Sequence, residues 1–390
     1  MTVASVDAIV QAVGHALSGA ELPVPLHAPE FRGREWDYLK DCLDTGWVSS
    51  VGAYVDRFER DLETYTGIPH AVAVSNGTAA LEVCYRLAGV VAGDEVLVPT
   101  LTFVATANAV TYRGATPHFV DSEAETLGVD AGRLDTYLQA VARIDGDVCR
   151  NTRTGRPIRA LVAVHVFGYP VDIEALAELA ARWKLVLIED AAEALGSRWH
   201  GRHLGGFGRL AALSFNGNKI VTTGGGGAVL TDDPELARRA KHLTTTAKQP
   251  HRWAFDHDEI GWNYRMPNLN AALGCAQLEQ LPGMMARKAT LAARYAQAFD
   301  RLKGVRLMKP REGAVVNHWL NALILDQPDR TLRDQLLEAL NDAGYHARPL
   351  WTLMHRLPMY VDCPRDALPV AEALEDQVIN LPSSATLADV

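Results

Sequence analysis

The sequence predicts an α/β fold, in which a large domain with a mostly parallel sheet is followed by a smaller α+β domain. The chain has 390 residues, more than the roughly 250–300 at which one core usually stops growing. Between residues 71 and 231, short apolar runs alternate with segments of helical periodicity, as in parallel sheets. After Pro267, longer amphipathic helices dominate. We therefore expect a leading helix within residues 1–20, a large domain at 21–265 and a small domain at 266–390.

Composition and charge indicate an ordinary globular protein. Hydrophobic residues make up 48% of the chain and charged residues 22%, and the net charge is −9. This acidic balance, without a basic stripe, argues against a nucleic-acid partner. The five cysteines are scattered without a C-x-x-C pair, which favours a reducing compartment. Because the sequence shows neither a signal-peptide pattern nor an apolar run of ~20 residues, we expect a cytoplasmic protein that does not bind membranes.

The first fifty residues predict two helices and a loop. Apolar residues at helical spacing run from residue 6 to 17 and end before a Ser-Gly pair, which predicts a short leading helix. A second helix is expected at 35–43. The following stretch, residues 45–52, contains small residues, a tryptophan and Ser50. It is either a plain connection or part of a ligand site, since such loops often carry function.

Residues 71–231 predict the alternating strands and helices of the large domain. The expected strands are 71–74, 95–98, 117–120, 160–164, 185–188, 211–215 and 228–231. The expected helices are 76–87, 104–112 and 172–183. Residues 143–159 are polar and rich in turn residues, which indicates an excursion on the surface.

The last part of the chain begins with a loop and continues with the small domain. A loop is expected at 247–259, where a metal site at His251 and His257 is the weaker alternative, because no second pair of ligands has a usual spacing. We therefore expect no metal. The small domain is predicted to contain helices at 269–281, 285–302 and 332–343, a strand at 318–325 and a proline-punctuated tail. Gly344 is expected to end the third of these helices.

Functional side chains are expected where the predicted strands end, because sheets of this kind bind ligands beyond the carboxyl ends of their strands. Gly77 and Thr78 would open a helix whose amides bind an anion, or Thr78 would merely cap that helix. Phe103 would stack on a flat ring, or would serve the core as aromatic residues at helix starts often do. Asp190 directly follows a buried run, so its carboxylate must be solvated or paired.

Lys219 lies in residues 214–227, between an apolar stretch that ends in Ser214 and a run of four glycines. A lysine in such a segment can be desolvated and become a nucleophile toward carbonyls; the alternative is a solvated lysine in a surface loop. A phosphate-binding loop is not expected, because the order of residues does not match G-x-x-x-x-G-K-[S/T]. An anion cradle, a stacking ring, a carboxylate and a nucleophilic lysine are the four parts that pyridoxal phosphate needs. The ordered set therefore predicts this cofactor.

Four stretches give the sequence a resemblance to a known family. Residues 75–81, 189–196, 214–227 and 261–266 resemble motifs of the DegT/DnrJ/EryC1/StrS sugar aminotransferases. The resemblance extends over nearly the whole chain and implies a type I pyridoxal-phosphate-dependent transferase fold with a seven-stranded type of sheet. The chain looks most similar to the branch that makes 4-amino-4,6-dideoxy nucleotide sugars, including enzymes of the legionaminic acid and bacillosamine pathways.

The resemblance implies a role for each matching residue around the cofactor. Lys219 would be the Schiff-base lysine and would move the proton at the substrate carbon, and Asp190 would pair with the pyridine nitrogen. The other residues implied to contact the cofactor are Gly77, Thr78 and Ser214 at the phosphate, Phe103 on the ring, and Asn263 at the phosphate in the neighbouring subunit. This last role implies a homodimer with shared sites.

Two positions depart from the family pattern. Family members often have Gln or His where Glu193 stands, near the cofactor hydroxyl. An ionised acid there would repel a phenolate, so the protonation state of Glu193 is open. Family members also often have Glu where Gly225 stands, a difference for which the sequence offers no physical account.

The resemblance implies transfer of an amino group from L-glutamate to C4 of a 4-keto-6-deoxy nucleotide sugar. The expected acceptor is a UDP- or GDP-linked 2-acetamido-2,6-dideoxy-hexos-4-ulose, used for bacterial surface glycans or nonulosonic acids. The candidate substrate contacts are Ser50, His165 and His318 at the sugar, and Arg265 and Arg348 at the donor carboxylate or the diphosphate. The arginines would otherwise form ion pairs, and His165, which follows a buried strand, would otherwise be a satisfied core histidine.

Three other functions are weighed against this one. A GDP-perosamine-type aminotransferase differs only in the acceptor sugar. A sugar dehydratase of the same fold would have histidine in place of Lys219, which argues against it. A non-catalytic binding or regulatory protein with this fold would keep the pocket, but nothing in the sequence indicates loss of Lys219 or Asp190.

Overall fold

The computed structural model describes residues 4–389, and its largest element is a mixed sheet of nine strands. The helices are α1 Val6–Ala16, α2 Glu35–Thr45, α3 Ala53–Thr66, α4 Gly77–Leu87, α5 Val104–Tyr112, α6 Ala131–Val141, α7 Ile173–Arg182, α8 Pro234–Thr244, α9 Asn268–Phe299, α10 Arg330–Asp342 and α11 Pro369–Glu375. The strands are β1 His70–Val74, β2 Glu95–Pro99, β3 Thr116–Val120, β4 Ala142–Asp145, β5 Val148–Asn151, β6 Pro157–Val164, β7 Val186–Asp190, β8 Arg198–Trp199, β9 Arg202–His203, β10 Leu210–Ser214, β11 Gly227–Thr231, β12 Val305–Leu307, β13 Ala314–Val315, β14 Asn321–Leu325, β15 Arg348–Pro349 and β16 Val378–Leu381. Among these residues, no helix combines the length and the apolar character that crossing a membrane requires.

The large sheet is mostly parallel, as predicted. Seven strands lie side by side in the order β1-β11-β10-β7-β6-β2-β3. The neighbours from β10 to β3 pair in parallel, whereas β11 is antiparallel to both β1 and β10. The apolar runs of β6, β7 and β10 lie in the buried core, which is why these strands lack the alternation of half-exposed strands. The predicted α/β class is therefore confirmed.

Most predicted elements occur with boundaries that differ by at most two residues, and α5 matches its prediction. Of the strands predicted in this domain, β6 differs most, because it begins three residues earlier than expected, at Pro157. The helices α3 and α8 were not among the predicted elements. The prediction of a surface excursion at 143–159 is confirmed for residues 143–147 and 152–156, which are exposed, but the segment has regular structure that was not predicted. There, β4 and β5 form a hairpin whose second strand pairs with β6, and Asn151 is buried and donates to Glu95 at 2.8 Å, so the hairpin extends the sheet.

The prediction of two helices at 269–281 and 285–302 is wrong. The structure has one helix, α9, which continues through Pro282 for 32 residues. Leu281 packs in the large core, whereas Leu291 and Tyr295 pack in a second core. The burial of apolar side chains on both sides of Pro282 offsets the loss of the hydrogen bond that proline cannot make. Helix α9 thus contributes to both cores.

The second core lies on a four-stranded sheet in the order β12-β14-β16-β15. It is completed by α1, the second half of α9 and α10. Strand β14 begins at Asn321 rather than at residue 318, because His318 has a left-handed φ of 48°, which interrupts an extended chain. Gly344, with a φ of 86°, follows α10 as predicted.

The predicted division of the chain into domains stays a prediction. The segment before residue 25 packs in the second core, and the Val24 N–H donates to the Gly344 carbonyl at 2.8 Å. Residues from 350 to 378 contribute to the large core as well. Of the predicted leading and small domains, residues 1–3 and residue 390 lie outside the described part.

Candidate active site

A cavity of about 330 Å³ lies at the carboxyl edge of the large sheet. The parallel pairing of β7 and β10 places Asp190 beside Ala212. Since β1 and β10 are each antiparallel to β11, these two strands also run in the same direction and end at the same edge. Seven of the predicted site residues line the cavity: Gly77, Thr78, Phe103, Asp190, Glu193, Ser214 and Lys219.

The first wall of the cavity is the N-terminus of α4. Asn76 caps this helix, because its side chain accepts the N–H of Ala79 at 2.8 Å. The amides of Gly77 and Thr78 belong to the first turn and have no partner within the helix. A Cβ at Gly77 would lie 2.8 Å from the Cβ of Ser214, so only glycine allows the helix to come this close to the end of β10. Two free amides and a hydroxyl thus converge, as in an anion site.

The second group is the buried carboxylate of Asp190, which ends β7. Its oxygens accept hydrogen bonds from the Thr106 hydroxyl at 2.7 Å and from the Ala192 N–H at 3.2 Å. Burial nevertheless raises the pKa of Asp190, against these bonds and the charge of Lys219. The site therefore provides a carboxylate that a bound cation would stabilise.

The third group is Lys219, whose side chain is 13% exposed and whose Nζ atom lies 3.3 Å from a carboxylate oxygen of Glu193. Glu193 also accepts the Phe167 N–H at 2.8 Å. Burial raises the pKa of Glu193, although Lys219 and Phe167 oppose the shift. Lys219 therefore faces an acid that holds its proton more tightly than an exposed glutamate does.

Aromatic side chains form the remaining wall. Phe103 is 54% exposed at the start of α5, and its ring centroid lies 6.4 Å from that of Trp351. The ring of Trp319 lies 4.0 Å from Nζ of Lys219, and its indole N–H donates to the Asn218 carbonyl at 2.7 Å. A flat ring bound beside Lys219 would therefore meet aromatic faces.

Sequence reasoning missed several residues that line this cavity. Among them are Thr106, Asn216, Asn218, Trp319 and Trp351. Three of them had a usable signal in the sequence, since Thr106 lies one helical turn after Phe103 and the two asparagines precede Lys219 by three positions and by one. Trp351 had no such signal, because it belongs to the tail of the chain, far from the other cavity residues in sequence. The tail is held at the large sheet by a hydrogen bond from the Met354 N–H to the Thr100 carbonyl, just after β2.

Two predicted substrate contacts lie away from the lysine cavity in the interior. His165 is fully buried, with Nε2 2.9 Å from Glu189 and Nδ1 accepting the Val171 N–H at 3.4 Å. Both ring nitrogens are thus engaged, which favours the alternative of a satisfied core histidine. His318 lies beside the Tyr169 hydroxyl at 3.4 Å, and burial lowers its pKa to about 4.

The other four predicted contacts lie outside this cavity within the same chain. Ser50 lines a separate cavity with Trp47 and Tyr54. Asn263 is exposed and accepts a hydrogen bond from Arg265 at 3.0 Å. Arg348 is exposed and donates to the Asn341 side chain at 3.1 Å and to the Ala347 carbonyl, neither of which is a carboxylate. Their roles toward substrate or a neighbouring subunit stay predictions.

The histidines considered for a metal site have other partners. His257 Nδ1 lies 2.8 Å from the Thr246 carbonyl, and His251 Nδ1 accepts the Ala254 N–H at 2.8 Å. Within residues 4–389, the group with metal-ligand geometry is instead His242, Asp258 and Glu259. Glu259 there forms an ion pair with Arg239, so a structural ion-pair cluster explains the arrangement.

The residues at the cavity fit pyridoxal phosphate. The cradle at Gly77 would accommodate a phosphate, and a pyridinium would place a further positive charge beside the buried carboxylate of Asp190, whose pKa is raised by burial. Lys219 would hold the aldehyde carbon. At Gly225, a Cβ would meet nothing within 4 Å, so glycine leaves the cavity wider here than glutamate would.

Known proteins with similar sequences and structures share this arrangement of elements. The profile of a family described as the DegT/DnrJ/EryC1/StrS aminotransferase family matches residues 29–390. A GDP-perosamine synthase of Caulobacter vibrioides is 38% identical over 373 residues, which make up 95% of this chain and 96% of that protein. A GDP-perosamine synthase of Escherichia coli O157:H7 is 37% identical over 366 residues, 94% of each chain. Among solved structures, the aminotransferase TlmJ from Streptoalloteichus hindustanus has a TM-score of 0.83 at 29% identity and covers 93% of this chain and 94% of its own.

Proposed function

We propose, on the premise that this chain belongs to the DegT/DnrJ/EryC1/StrS aminotransferase family, that it transfers an amino group from L-glutamate to C4 of a GDP-linked 4-keto-6-deoxyhexose. The chain is a nucleotide-sugar aminotransferase with the type I transferase fold, and its cofactor is pyridoxal phosphate. The observation that carries the proposal is the single cavity in which Lys219, Asp190 and the start of α4 meet. The choice of acceptor rests on two relatives that are 38% and 37% identical and are named GDP-perosamine synthases.

Each group at the cavity has a distinct part in this reaction. When bound, the cofactor supplies an aldehyde that carries the amino group between the two substrates and a ring that accepts electrons from the substrate carbon. Lys219 holds the proton at that carbon and moves it, since its amine lines the cavity. Asp190 keeps a proton on the ring nitrogen. The amides of Gly77 and Thr78 hold the phosphate.

Glu193 lies beside the proposed reactive amine, with Nζ of Lys219 3.3 Å from its carboxyl group. Burial raises the pKa of Glu193, whereas the charge of Lys219 and the Phe167 N–H oppose the shift. A protonated Glu193 would donate a hydrogen bond, whereas an ionised one would only accept bonds. We therefore propose that Glu193 acts in this reaction through its contact with Lys219.

The acceptor would lie against the wall formed by Asn216, Asn218, Trp319 and Trp351. The amide groups can bond sugar hydroxyls, and indole faces pack on the apolar faces of sugar rings. The predicted contacts Ser50, Arg265 and Arg348 would bind substrate only if a second subunit brought them to this cavity. The expected compartment, the cytoplasm, stays a prediction.

We further propose a homodimer with shared sites. Asn263 is exposed, and so are Trp253 and Phe255 earlier in the chain, with 72% and 75% exposure of their side chains. Apolar surface of this kind favours contact with another protein, and a second copy would place Asn263 near the other subunit's cavity. Mixing subunits that carry Lys219→Ala with subunits that carry Asn263→Ala tests this idea, because only shared sites restore activity in the mixed dimer.

The first experiment follows the visible absorption of the protein loaded with pyridoxal phosphate. L-glutamate should convert a band near ~420 nm into one near ~330 nm, as this cofactor does when it takes up an amino group. A GDP-linked 4-keto-6-deoxymannose should then restore the first band and gain an amino group by mass spectrometry. Lys219→Met should lack the first band, whereas Lys309→Met, at an exposed lysine, should keep it.

A second acceptor is tested in the same experiment. A UDP-linked 2-acetamido-4-keto-2,6-dideoxyglucose corresponds to the legionaminic acid and bacillosamine branch, which the sequence resembles. Faster turnover of this sugar than of the GDP sugar would replace the proposed acceptor with it. Absence of any band with added cofactor would contradict the role of Lys219 itself and would favour a non-catalytic binding protein.

A further inference from the structure

Lys288 is a buried lysine that none of the roles above uses. It lies on α9, is 1% exposed, and donates hydrogen bonds to the main-chain oxygens of Trp319, at 3.2 Å, and of Ser383. Glu30 is the carboxylate whose charge acts on it, but Glu30 is paired with Arg287. Burying an amine in this way costs free energy. The two carbonyl groups that Lys288 bonds therefore indicate its role.

Trp319 connects Lys288 to the active-site lysine. The main chain of Trp319 is held on both sides, because its N–H donates to Asn317 at 2.9 Å and its carbonyl accepts from Lys288. Its indole N–H donates to the Asn218 carbonyl at 2.7 Å, and its ring lies 4.0 Å from Nζ of Lys219. The indole ring is thereby fixed against the reactive amine.

We propose that Lys288 is a positioning residue for Lys219 and acts through Trp319. Lys288 fixes the main chain of Trp319. The indole ring then covers Lys219 and bonds the carbonyl of Asn218, the residue that precedes the lysine. In support, burial lowers the pKa of Lys288 to about 7, and a neutral amine has two N–H groups for the two carbonyls that it contacts. The inference rests on Lys219 as the reactive amine of the proposed function, and it is independent of which sugar is used.

The test measures how fast Lys219 is acetylated in protein prepared without cofactor. Wild type, Lys288→Met, Trp319→Leu and Tyr295→Phe are treated with acetic anhydride, and the acetylated fraction of the Lys219 peptide is followed by mass spectrometry. Trp319→Leu removes the ring and sets the upper limit. Tyr295→Phe is the matched control, because Tyr295 lies on the same helix and donates to the Pro382 carbonyl at 2.9 Å.

We expect Lys288→Met to raise the acetylation rate of Lys219 about three- to tenfold toward that of Trp319→Leu, since the loosened ring shields the amine less and weakens the cation–π contact. Tyr295→Phe should stay at the wild-type rate. An unchanged rate in Lys288→Met would overturn the proposal, because Trp319 would then hold its place unaided. An equal rise in Tyr295→Phe would overturn it as well, because the loosening would then be general.

A second variant keeps the test decisive if the methionine variant does not fold. Lys288→Gln has a shorter amide that cannot reach both carbonyls, and the same rise in acetylation is expected of it. The labelling needs no turnover. A protein that labels as expected but aminates no sugar would therefore overturn the proposed function and leave the role of Lys288 standing.

Discussion

The buried amine of Lys288 predicts how the stability of this protein depends on pH. Burial lowers its pKa in the folded protein to about 7, from an ordinary value of 10.5. Between these two pH values the unfolded chain binds a proton that the folded chain does not, so stability rises with pH across this interval. This one group raises the free energy of unfolding by about 1.4 kcal/mol per pH unit, and by about 5 kcal/mol over the whole interval. Below pH 7 the burial of Lys288 destabilises the folded protein by this full amount, and above pH 10.5 the destabilisation vanishes.

The surroundings of Lys288 account for this shift. His318 and His27 lie near it, and burial lowers the pKa of both, with the charge of Lys288 as the next cause. Neither imidazole therefore adds a charge at neutral pH. Glu30 opposes the shift, but its carboxylate is engaged by Arg287. Because Lys288 is 1% exposed, solvent does not screen the effect.

The assay is urea unfolding of wild type and Lys288→Met without cofactor, followed by tryptophan fluorescence at several pH values. Between pH 7 and 9, the free energy of unfolding of wild type should gain about 2 kcal/mol relative to the variant. Loss of two hydrogen bonds in the variant shifts its curve by a constant and does not change the slope. Tyr295→Phe should differ from wild type by the same amount at every pH. A difference between wild type and Lys288→Met that stays level within about 0.5 kcal/mol would refute the reasoning, because Lys288 would then keep its ordinary pKa when buried.

Three further substitutions test the cavity and the helix that joins the two cores. Thr106→Val removes the hydroxyl that lowers the pKa of Asp190, so the affinity for pyridoxal phosphate should fall about tenfold, the effect of a hydrogen bond to a charged group; an unchanged titration of the visible band would contradict this. Gly77→Ala places a Cβ 2.8 Å from that of Ser214, so the phosphate cradle should open and the same titration should show at least a tenfold loss with an unchanged circular dichroism spectrum. Gly283→Ala is the counterpart within α9, because a Cβ there meets nothing within 4 Å; it should raise the free energy of unfolding by about 0.5–1 kcal/mol, and a loss of stability would show that the helix is strained at this point.

Local patterns were enough to predict most of the large sheet. The runs that became β7 and β10 are apolar and buried, so their composition alone marks them as central strands. The hairpin of β4 and β5 was not predicted because its strands carry polar residues. One of these, Asn151, is hydrogen-bonded to Glu95 in the interior. Such pairing depends on a partner that lies 56 residues away in the chain, and no local pattern records it.

The same limit applies to Pro282, which locally predicts the end of a helix. The helix continues because each half of α9 packs on a different core. Chain order and residue type were enough to predict that Lys219 and Asp190 lie together, and the structure places both in one cavity. Trp351 could not be found in this way, since its place at the cavity depends on how the tail of the chain folds back.

The leading helix packs against residues that are synthesised long after it. Helix α1 packs in the second core with α9 and α10, and Val24 is bonded to Gly344. During synthesis on the ribosome, the apolar side of α1 therefore stays uncovered until its partners in α9 and α10, about 280 to 330 positions later in the chain, have been made. At about 5–20 residues per second, this delay is about 20–60 s. Closure of the second core is thus a late event in the biogenesis of the enzyme, and a stalled nascent chain would present an uncovered apolar helix to chaperones.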